Sequence, residues 1–371
     1  MKRNAWQWFS NDLTFAEETL QQAQQLSKTA GQLASLCQHL TFFGRFQRAQ
    51  TLLLNAEPEV LRQPHGRAAL MRIRQYRHHT NPWLSLCLKE QRPWFEEVCE
   101  RISKTSQPVQ VHLGGGLGDM LETMAVLHNN KNLKQRMQYV IPDWAGKPLI
   151  PLLEKHQTTH HFDWTKASDF ESILHREESI ELPMMALKAA LAKTKQDTIP
   201  QTVHSTDQCS YKKPTLLCCW KSKVDPDEKL WAHMRSMSMA NIVRIYRELM
   251  PVAKQKGFHV VDITQYYDHE ARELMNRHPS DLKLTAHTLR NFVDTTQYLG
   301  PNTLVASIDT SLIHLACWCG HRPLMLAHRW PDGRWLQGSW ENIDILEQHT
   351  LFDWEPPIQR LIERIQNYNW E

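Results

Sequence analysis

Apolar side chains follow a helical spacing over the first 105 residues of the chain. Such a pattern runs through 33–40, is interrupted at Gly44, and resumes at 46–53. Two helical segments joined by a glycine turn predict an αα-hairpin. We therefore expect residues 1–105 to form an all-helical region.

From residue 106 onward, short apolar runs alternate with helical ones. Runs at 109–113 and 138–141 predict strands, and helical patterns follow at 120–127 and 148–155. A second set begins near residue 211, with strands expected at 215–220, 258–263, 304–307 and 322–326 and helices at 239–250, 312–319 and 357–368. This order predicts an α/β fold with parallel sheets. We expect two tandem Rossmann-like domains, over 106–205 and 206–371, the second ending in a closing helix.

Composition narrows the class of protein. The chain has 371 residues with a net charge of +3 and a mean hydropathy of −0.53. No apolar run approaches the roughly 18 residues of a membrane span, and the amino terminus has no apolar signal core. The eight cysteines form no C-x-x-C pair, and no histidine pair has the H-E-x-x-H spacing of zinc enzymes. We expect a cytoplasmic protein with reduced thiols, no metal and no nucleic-acid partner.

Positive charge is concentrated in residues 61–80, which contain five arginines and no acid: Arg62, Arg67, Arg72, Arg74 and Arg77. One interpretation is a solvated helix face. The other is an exposed surface for an anionic acceptor, an acidic protein or the inner membrane surface, with Arg67, Arg74 and Arg77 on one helical face. Both interpretations remain open at this stage.

A glycine-rich loop at 114–119 follows the first predicted strand. It offers close backbone approach and the start of a helix to an anion. It lacks the Gly-Lys-Ser/Thr of a P-loop, and its alternating glycines depart from a dinucleotide fingerprint, although Asp143 ends the next strand where a ribose-binding acid would lie. Asp119 closes the loop, either as a helix cap or as a base.

A second cluster of polar residues lies where the strand at 304–307 passes into a helix. Asp309, Thr310 and Ser311 supply hydroxyls and helix-start amides of the kind that bind phosphate. His314 follows Thr310 by four residues, so both lie on one helical face. Capping explains Asp309 or Ser311 alone, but not the whole group.

These segments resemble the family 9 glycosyltransferases, which include the heptosyltransferases. Residues 118–125 resemble the Gly-Asp-x-x-x-Thr-x-x-Ala-Leu segment of that family, and 309–316 its Asp-Thr-x-x-x-His-Leu-Ala motif. Residues 182–187, 197–200, 330–336 and 354–356 are similar to further family segments in the same order. The resemblance covers about 109–368. It is closest to bacterial proteins that join tetratricopeptide repeats to such a domain, and the hairpin at 33–53 resembles one repeat.

The resemblance implies the two-Rossmann (GT-B) arrangement and inverting, metal-independent transfer from a nucleotide-sugar. It implies Asp119 as the catalytic base, and as donor-binding residues Gly116, Gly118, Lys221, Lys223, Arg235, Asp309, Thr310, Ser311 and His314. Residues 220–227 lack the family's glycine, so we expect Lys221 or Lys223 to contact phosphate instead. We expect Asp225-Pro226-Asp227 to be a solvated turn.

Two other functions remain as alternatives. In one, the protein is a catalytically idle nucleotide-sugar-binding adaptor whose helical region binds a protein partner. In the other, which depends on the glycine loop and Asp143, it is a dinucleotide-dependent oxidoreductase. On the leading interpretation the protein has no resident cofactor, and the acceptor is a glycan, a glycolipid or a protein.

Overall fold

The structure is a computed structural model. It describes residues 21–73 (without 23, 26, 28, 57, 64, 67, 68 and 71), 100, 109–129 (without 114 and 115), 137–155, 180–183, 213–222, 229–278, 282–332, 335, 340 and 342–369. The chain divides into two compact units, 1–97 with 332–337 and 98–331 with 338–371. The expected domain boundaries at 105/106 and 205/206 lie outside the described residues and stay predictions.

The described part of the first unit is helical, with α1 at Ala30–Phe42, α2 at Phe46–Leu54 and α3 at Pro58–Arg62. Thr29 and Gln32 cap α1 reciprocally, each side chain bonding the other's backbone N–H at 3.2 Å. Gly44 has a φ of 71°, which lets the chain turn sharply between α1 and α2. The predicted helical hairpin is thus confirmed, whereas its tetratricopeptide character stays a prediction.

The second unit contains a three-stranded parallel sheet in the order β2-β1-β3. Its elements are β1 (Val109–His112), α4 (Leu117–Asn129), β2 (Met137–Val140), α5 (Asp143–Lys155) and β3 (Ile180–Pro183). Helix α4 begins earlier than the pattern predicts, so Asp119 lies in its first turn. Helix α5 begins at Asp143 and not at Pro148, because an acidic residue is favourable in a first turn.

The same unit contains a six-stranded parallel sheet in the order β6-β5-β4-β7-β8-β9. Its elements are β4 (Thr215–Cys219), α6 (Lys229–Arg235), α7 (Met239–Gln255), β5 (His259–Asp262), α8 (Asp268–Arg277), β6 (Leu282–Leu284), α9 (Phe292–Thr296), β7 (Thr303–Ile308), α10 (Ser311–Trp318), β8 (Leu324–Ala327), β9 (Asp344–Glu347) and α11 (Glu355–Gln366).

The core of this larger sheet lies on its central strands. Every residue of β4, β7 and β8 is buried, as expected for a parallel sheet covered on both faces. The sequence pattern predicts these strands but misses β6 and β9. Both are short edge strands, with charged residues at Lys283 and Asp344, so their apolar signal is weak. The prediction of an α/β fold with parallel sheets is confirmed.

No helix in the described part of the chain combines the length and the apolar composition that a bilayer crossing needs.

Candidate active site

The chain order of the larger sheet reverses between β4 and β7. Its order corresponds to the 3-2-1-4-5-6 order of doubly wound sheets, in which ligands bind outside the carboxyl ends of the strands at the reversal. Lys221 lies two residues after β4, and Asp309 directly follows β7. The Ser307 hydroxyl donates to the Cys219 carbonyl at 2.9 Å, which joins the two strand ends. Lys221 and Asp309 therefore lie at the same edge of the sheet.

Helix α10 begins at this edge. Thr310 precedes the helix in an extended conformation, and its side chain makes no capping bond. Instead, its Oγ1 lies 3.1 Å from Oγ of Ser307. The first-turn N–H groups of a helix lack partners within it and carry partial positive charge. Because Thr310 and Ser311 are only half-buried, this helix start is suited to an anionic group.

Lys221 is engaged by a carboxylate within the protein. Its Nζ lies 2.5 Å from Oε1 of Glu270, and the ammonium is 5.9 and 5.7 Å from the ring centroids of Tyr266 and Tyr267. The other Glu270 oxygen accepts the Tyr267 backbone N–H at 3.1 Å, which holds this carboxylate at the start of α8. The positive charge of Lys221 is thus balanced by a buried partner.

A buried network of hydrogen bonds holds the segments at the carboxyl ends of β4 and β5. The Asp262 carboxylate is fully buried and accepts hydrogen bonds from the Tyr246 and Tyr266 hydroxyls, at 2.5 and 2.6 Å, and from the Thr264 backbone N–H at 2.7 Å. Trp220 donates its indole N–H to the Tyr246 hydroxyl at 2.7 Å and its backbone N–H to the Thr264 hydroxyl at 2.8 Å. Burial raises the pKa of Asp262, and the hydrogen bonds oppose that rise.

Sequence reasoning missed this network, since its members come from three elements. Tyr246 lies within α7, whereas Asp262 ends β5 and Trp220 follows β4. The position of one acid at the end of a strand does not indicate which hydroxyl groups will contact it in the folded protein. The network fixes Trp220, the residue directly before Lys221.

On the smaller sheet, Asp119 caps the glycine loop. Its Oδ2 accepts the Gly116 backbone N–H at 2.8 Å, and the Thr123 hydroxyl donates to its backbone carbonyl at 2.8 Å. The carboxylate is half-buried. The capping interpretation of Asp119 therefore holds for one carboxylate oxygen, and a second role as a base remains a proposal.

The first turns of α4 and α10 pack against each other. A Cβ atom added to Gly118 would lie only 2.5 Å from Cδ2 and 2.9 Å from Nε2 of His314, so this contact requires glycine. Nδ1 of His314 accepts the indole N–H of Trp340 at 3.1 Å. The two sequence motifs are thus brought together, and Trp340 is a contact that sequence reasoning missed.

Arg235 and Lys223 are the other two cations that the sequence predicts to bind the donor. Arg235 is half-buried at the end of α6. The following Ser236 hydroxyl accepts the Ser222 backbone N–H at 2.9 Å and so ties this helix end to the segment after β4. Lys223 lies outside the described residues.

The described residues offer little for a metal ion. No group of three or more of their His, Cys, Asp or Glu side chains is arranged to hold one. Burial raises the pKa of Cys219 to about 12, whereas metals bind the thiolate. The Asp225-Pro226-Asp227 segment lies outside the described residues.

In the larger sheet, the acid at the end of β5, the strand next to β4, is already hydrogen-bonded within the protein. Asp262, the last residue of β5, is buried and already accepts three hydrogen bonds. Its carboxylate is therefore not available to a ribose. Asp143, the acid singled out in the sequence, is exposed at the start of α5. The loop before α4 is described only in part, because Gly114 and Gly115 lie outside the described residues.

One arginine of the basic segment departs from the expectation of an exposed face. Arg72 is only 3% exposed, and its guanidinium lies 5.0 Å from the centroid of the Phe42 ring. A guanidinium is weakly hydrated and stacks on aromatic rings, which explains its burial here. Arg67, Arg74 and Arg77 lie outside the described residues.

No protein-family model matches this sequence, and no curated protein matches it either. Among solved structures, it is similar to the ADP-heptose lipopolysaccharide heptosyltransferase II of E. coli, with 13% identity and a TM-score of 0.46 over 69% of this chain and 97% of that chain. A glycosyl transferase family 9 protein from Veillonella parvula has 10% identity and a TM-score of 0.44, over 65% and 86%. E. coli heptosyltransferase WaaC with ADP has 11% identity and a TM-score of 0.43, over 69% of this chain and 100% of that chain. These values assign no activity to this chain.

Proposed function

We propose that this protein transfers a sugar from a nucleotide-sugar donor to an acceptor hydroxyl, with inversion at the anomeric carbon and without a metal or another cofactor. The observation that carries the proposal is the packing of Gly118 against His314. Gly118 directly precedes Asp119, and His314 lies one turn after Thr310 and Ser311, so this contact joins the two helix ends that carry the proposed base and the proposed anion site. A base beside an anion-binding helix start suits sugar transfer from a diphosphate.

Departure of the diphosphate is the step that most needs stabilisation. As the bond from the anomeric carbon to the diphosphate oxygen breaks, negative charge grows on the leaving group. The first-turn N–H groups of α10 and the Thr310 and Ser311 hydroxyls supply fixed donors and a positive dipole end for that charge. Lys221 is paired with Glu270, so we assign the larger share of this stabilisation to the helix start, with Lys223 and Arg235 as further cations.

Asp119 is the proposed base. It takes the proton of the acceptor hydroxyl while the acceptor oxygen bonds to the anomeric carbon, on the face opposite the leaving diphosphate. A positioned base typically contributes about 10²–10⁴-fold to the rate. Its bond to the Gly116 N–H holds the carboxylate in one orientation at the start of α4.

The test is Asp119→Asn. The asparagine side-chain oxygen can still accept the Gly116 N–H, so the variant removes the base and keeps the cap. A thermal-shift panel of UDP-, GDP-, ADP- and CMP-sugars first identifies a donor, and slow release of its sugar to water is then measured. We expect donor binding to persist and turnover to fall about 10²–10⁴-fold.

Asp143→Asn is the matched control, because Asp143 also lies in the first turn of a helix that follows a strand of the smaller sheet. It should leave turnover unchanged. Full turnover by Asp119→Asn overturns the proposed base. Donor binding without hydrolysis by the unaltered protein favours the adaptor, and quenching of NADH fluorescence without sugar release favours the oxidoreductase.

We further propose that residues 106–205 form the acceptor half, that 206–371 form the donor half, and that the protein acts in the cytoplasm. Limited proteolysis tests these boundaries. Cuts near 100–106 and 203–213 support them, and a cut within 304–320 contradicts them.

A further inference from the structure

A hydrogen bond from Trp340 determines which ring nitrogen of His314 carries the proton. Its indole N–H donates to Nδ1 at 3.1 Å, and the rings meet edge to face, with centroids 6.1 Å apart and planes at 65°. Both side chains are buried, at 4% and 3% exposure. An indole N–H can only donate, so Nδ1 accepts and carries no proton. The neutral imidazole therefore has its proton on Nε2.

The opposite edge of the same imidazole lies against the start of α4. This edge consists of Cδ2 and Nε2, which lie 2.5 and 2.9 Å from the position of a Cβ on Gly118. Gly118 directly precedes Asp119. Trp340, His314 and Gly118 thus form a continuous chain of contacts that ends beside the proposed base.

We propose that Trp340 is a positioning residue for the transfer reaction. By holding His314 in one tautomer and one ring orientation, it sets the separation between Asp119 and the helix start at Thr310 and Ser311. Without the indole N–H, the imidazole can exchange tautomers and turn over about its Cβ–Cγ bond. This inference rests on the proposed function, since it concerns the geometry of that site.

The size of the effect follows from the sensitivity of catalysis to distance. A displacement of about 1 Å between reacting groups can lower a rate by about 10²-fold. Trp340→Phe removes one hydrogen bond but keeps an aromatic ring against His314, so the displacement that it causes should be smaller. We therefore expect kcat to fall about 10-fold, while the KM for the donor changes by less than about threefold, because the helix start that binds the diphosphate is itself unaltered.

The experiment compares Trp340→Phe with Trp318→Phe. Phenylalanine at 340 keeps an aromatic ring against His314 but removes the N–H. Trp318 is a buried tryptophan on the same helix as His314, at 2% exposure, so its replacement reproduces the loss of ring volume. The kcat and donor KM are measured by hydrolysis of the nucleotide-sugar that gives the largest thermal shift.

A spectroscopic readout separates positioning from simple loss of packing. The ring nitrogen shifts of His314 report its tautomer in ¹⁵N-histidine-labelled protein, with the signals assigned from a His314→Asn variant. We expect the unaltered protein and Trp318→Phe to show the Nε2–H form. Trp340→Phe should show a mixture, together with its lower kcat.

An unchanged kcat in Trp340→Phe, an equal fall in Trp318→Phe, or an unchanged His314 tautomer overturns the proposal. If Trp340→Phe does not fold, His314→Asn keeps the test decisive. Asparagine offers an oxygen near the Nδ1 position to the indole but no edge against Gly118, so its kcat should also fall, and an unchanged value overturns the proposal. Failure of the proposed function appears separately, as donor binding without hydrolysis by the unaltered protein, with the tautomer change in Trp340→Phe intact.

Discussion

Replacement of Gly118 by alanine tests the contact that joins the two halves of the candidate site. The added Cβ lies 2.5 Å from Cδ2 of His314, about 1 Å inside an ordinary carbon–carbon contact. Neither Gly118 nor His314 can shift easily to relieve this overlap. The glycine is in a helix, and the imidazole is buried and bonded to Trp340. Helix α4 and helix α10 must therefore move apart.

The expected magnitude combines two opposing effects. Overpacking of a buried contact typically lowers the free energy of unfolding by about 1–3 kcal/mol. Alanine in a helix is favoured over glycine by about 1 kcal/mol. We expect a net loss of up to about 2 kcal/mol, together with a loss of turnover of about 10²-fold if Asp119 moves by about 1 Å.

Gly31→Ala is the matched control. Gly31 and Gly118 are each the second residue of a 13-residue helix. A Cβ on Gly31 meets only Oε1 of Gln63, at 4.0 Å. Gly31→Ala should therefore leave stability unchanged or raise it slightly, without an effect on turnover.

The assays are urea denaturation and donor hydrolysis. The double variant Gly118→Ala/His314→Ala removes the imidazole that the new methyl group meets, so its loss of stability should be smaller than the sum of the two single losses. If Gly118→Ala is as stable and as active as Gly31→Ala, the reasoning from this contact is refuted.

Two further predictions concern the larger sheet. Thr310→Ala and Ser311→Ala should each reduce the thermal shift produced by a nucleoside diphosphate, because each removes a donor at the helix start, and an undiminished shift contradicts that role. Burial raises the folded-state pKa of Asp262 above its usual value of 3.8, so the folded state holds this proton more tightly than the unfolded state. Relative to Asp262→Asn, the unaltered protein should lose stability as the pH rises from about 3.8 through that raised pKa. Urea denaturation from pH 4 to 7 measures the difference, and a difference that does not vary with pH contradicts the prediction.

Local sequence was sufficient for the central framework of the fold. Continuous apolar runs predict β4 and β7, because a parallel strand that is buried on both faces needs apolar residues at every position. The glycine turn at Gly44 and the polar residues at 309–311 are likewise local signals, since a backbone conformation or a helix start depends on a few adjacent residues. The same reasoning explains why β6 and β9 were missed, because charged residues within them interrupt such apolar runs.

The chemistry of the candidate site was decided by tertiary structure. The sequence alone left Asp119 as a cap or a base and placed Lys221 among the phosphate ligands, with no sign of Glu270, which lies 49 residues away and pairs with that lysine. It also singled out His314 but not Trp340, 26 residues further on. Neighbouring parallel strands must be joined by long crossovers, so residues that meet at one sheet edge are necessarily far apart in the chain. Residue type and spacing therefore singled out the candidate groups, and only the packing of α4 on α10 and of β4 beside β5 and β7 determined their partners.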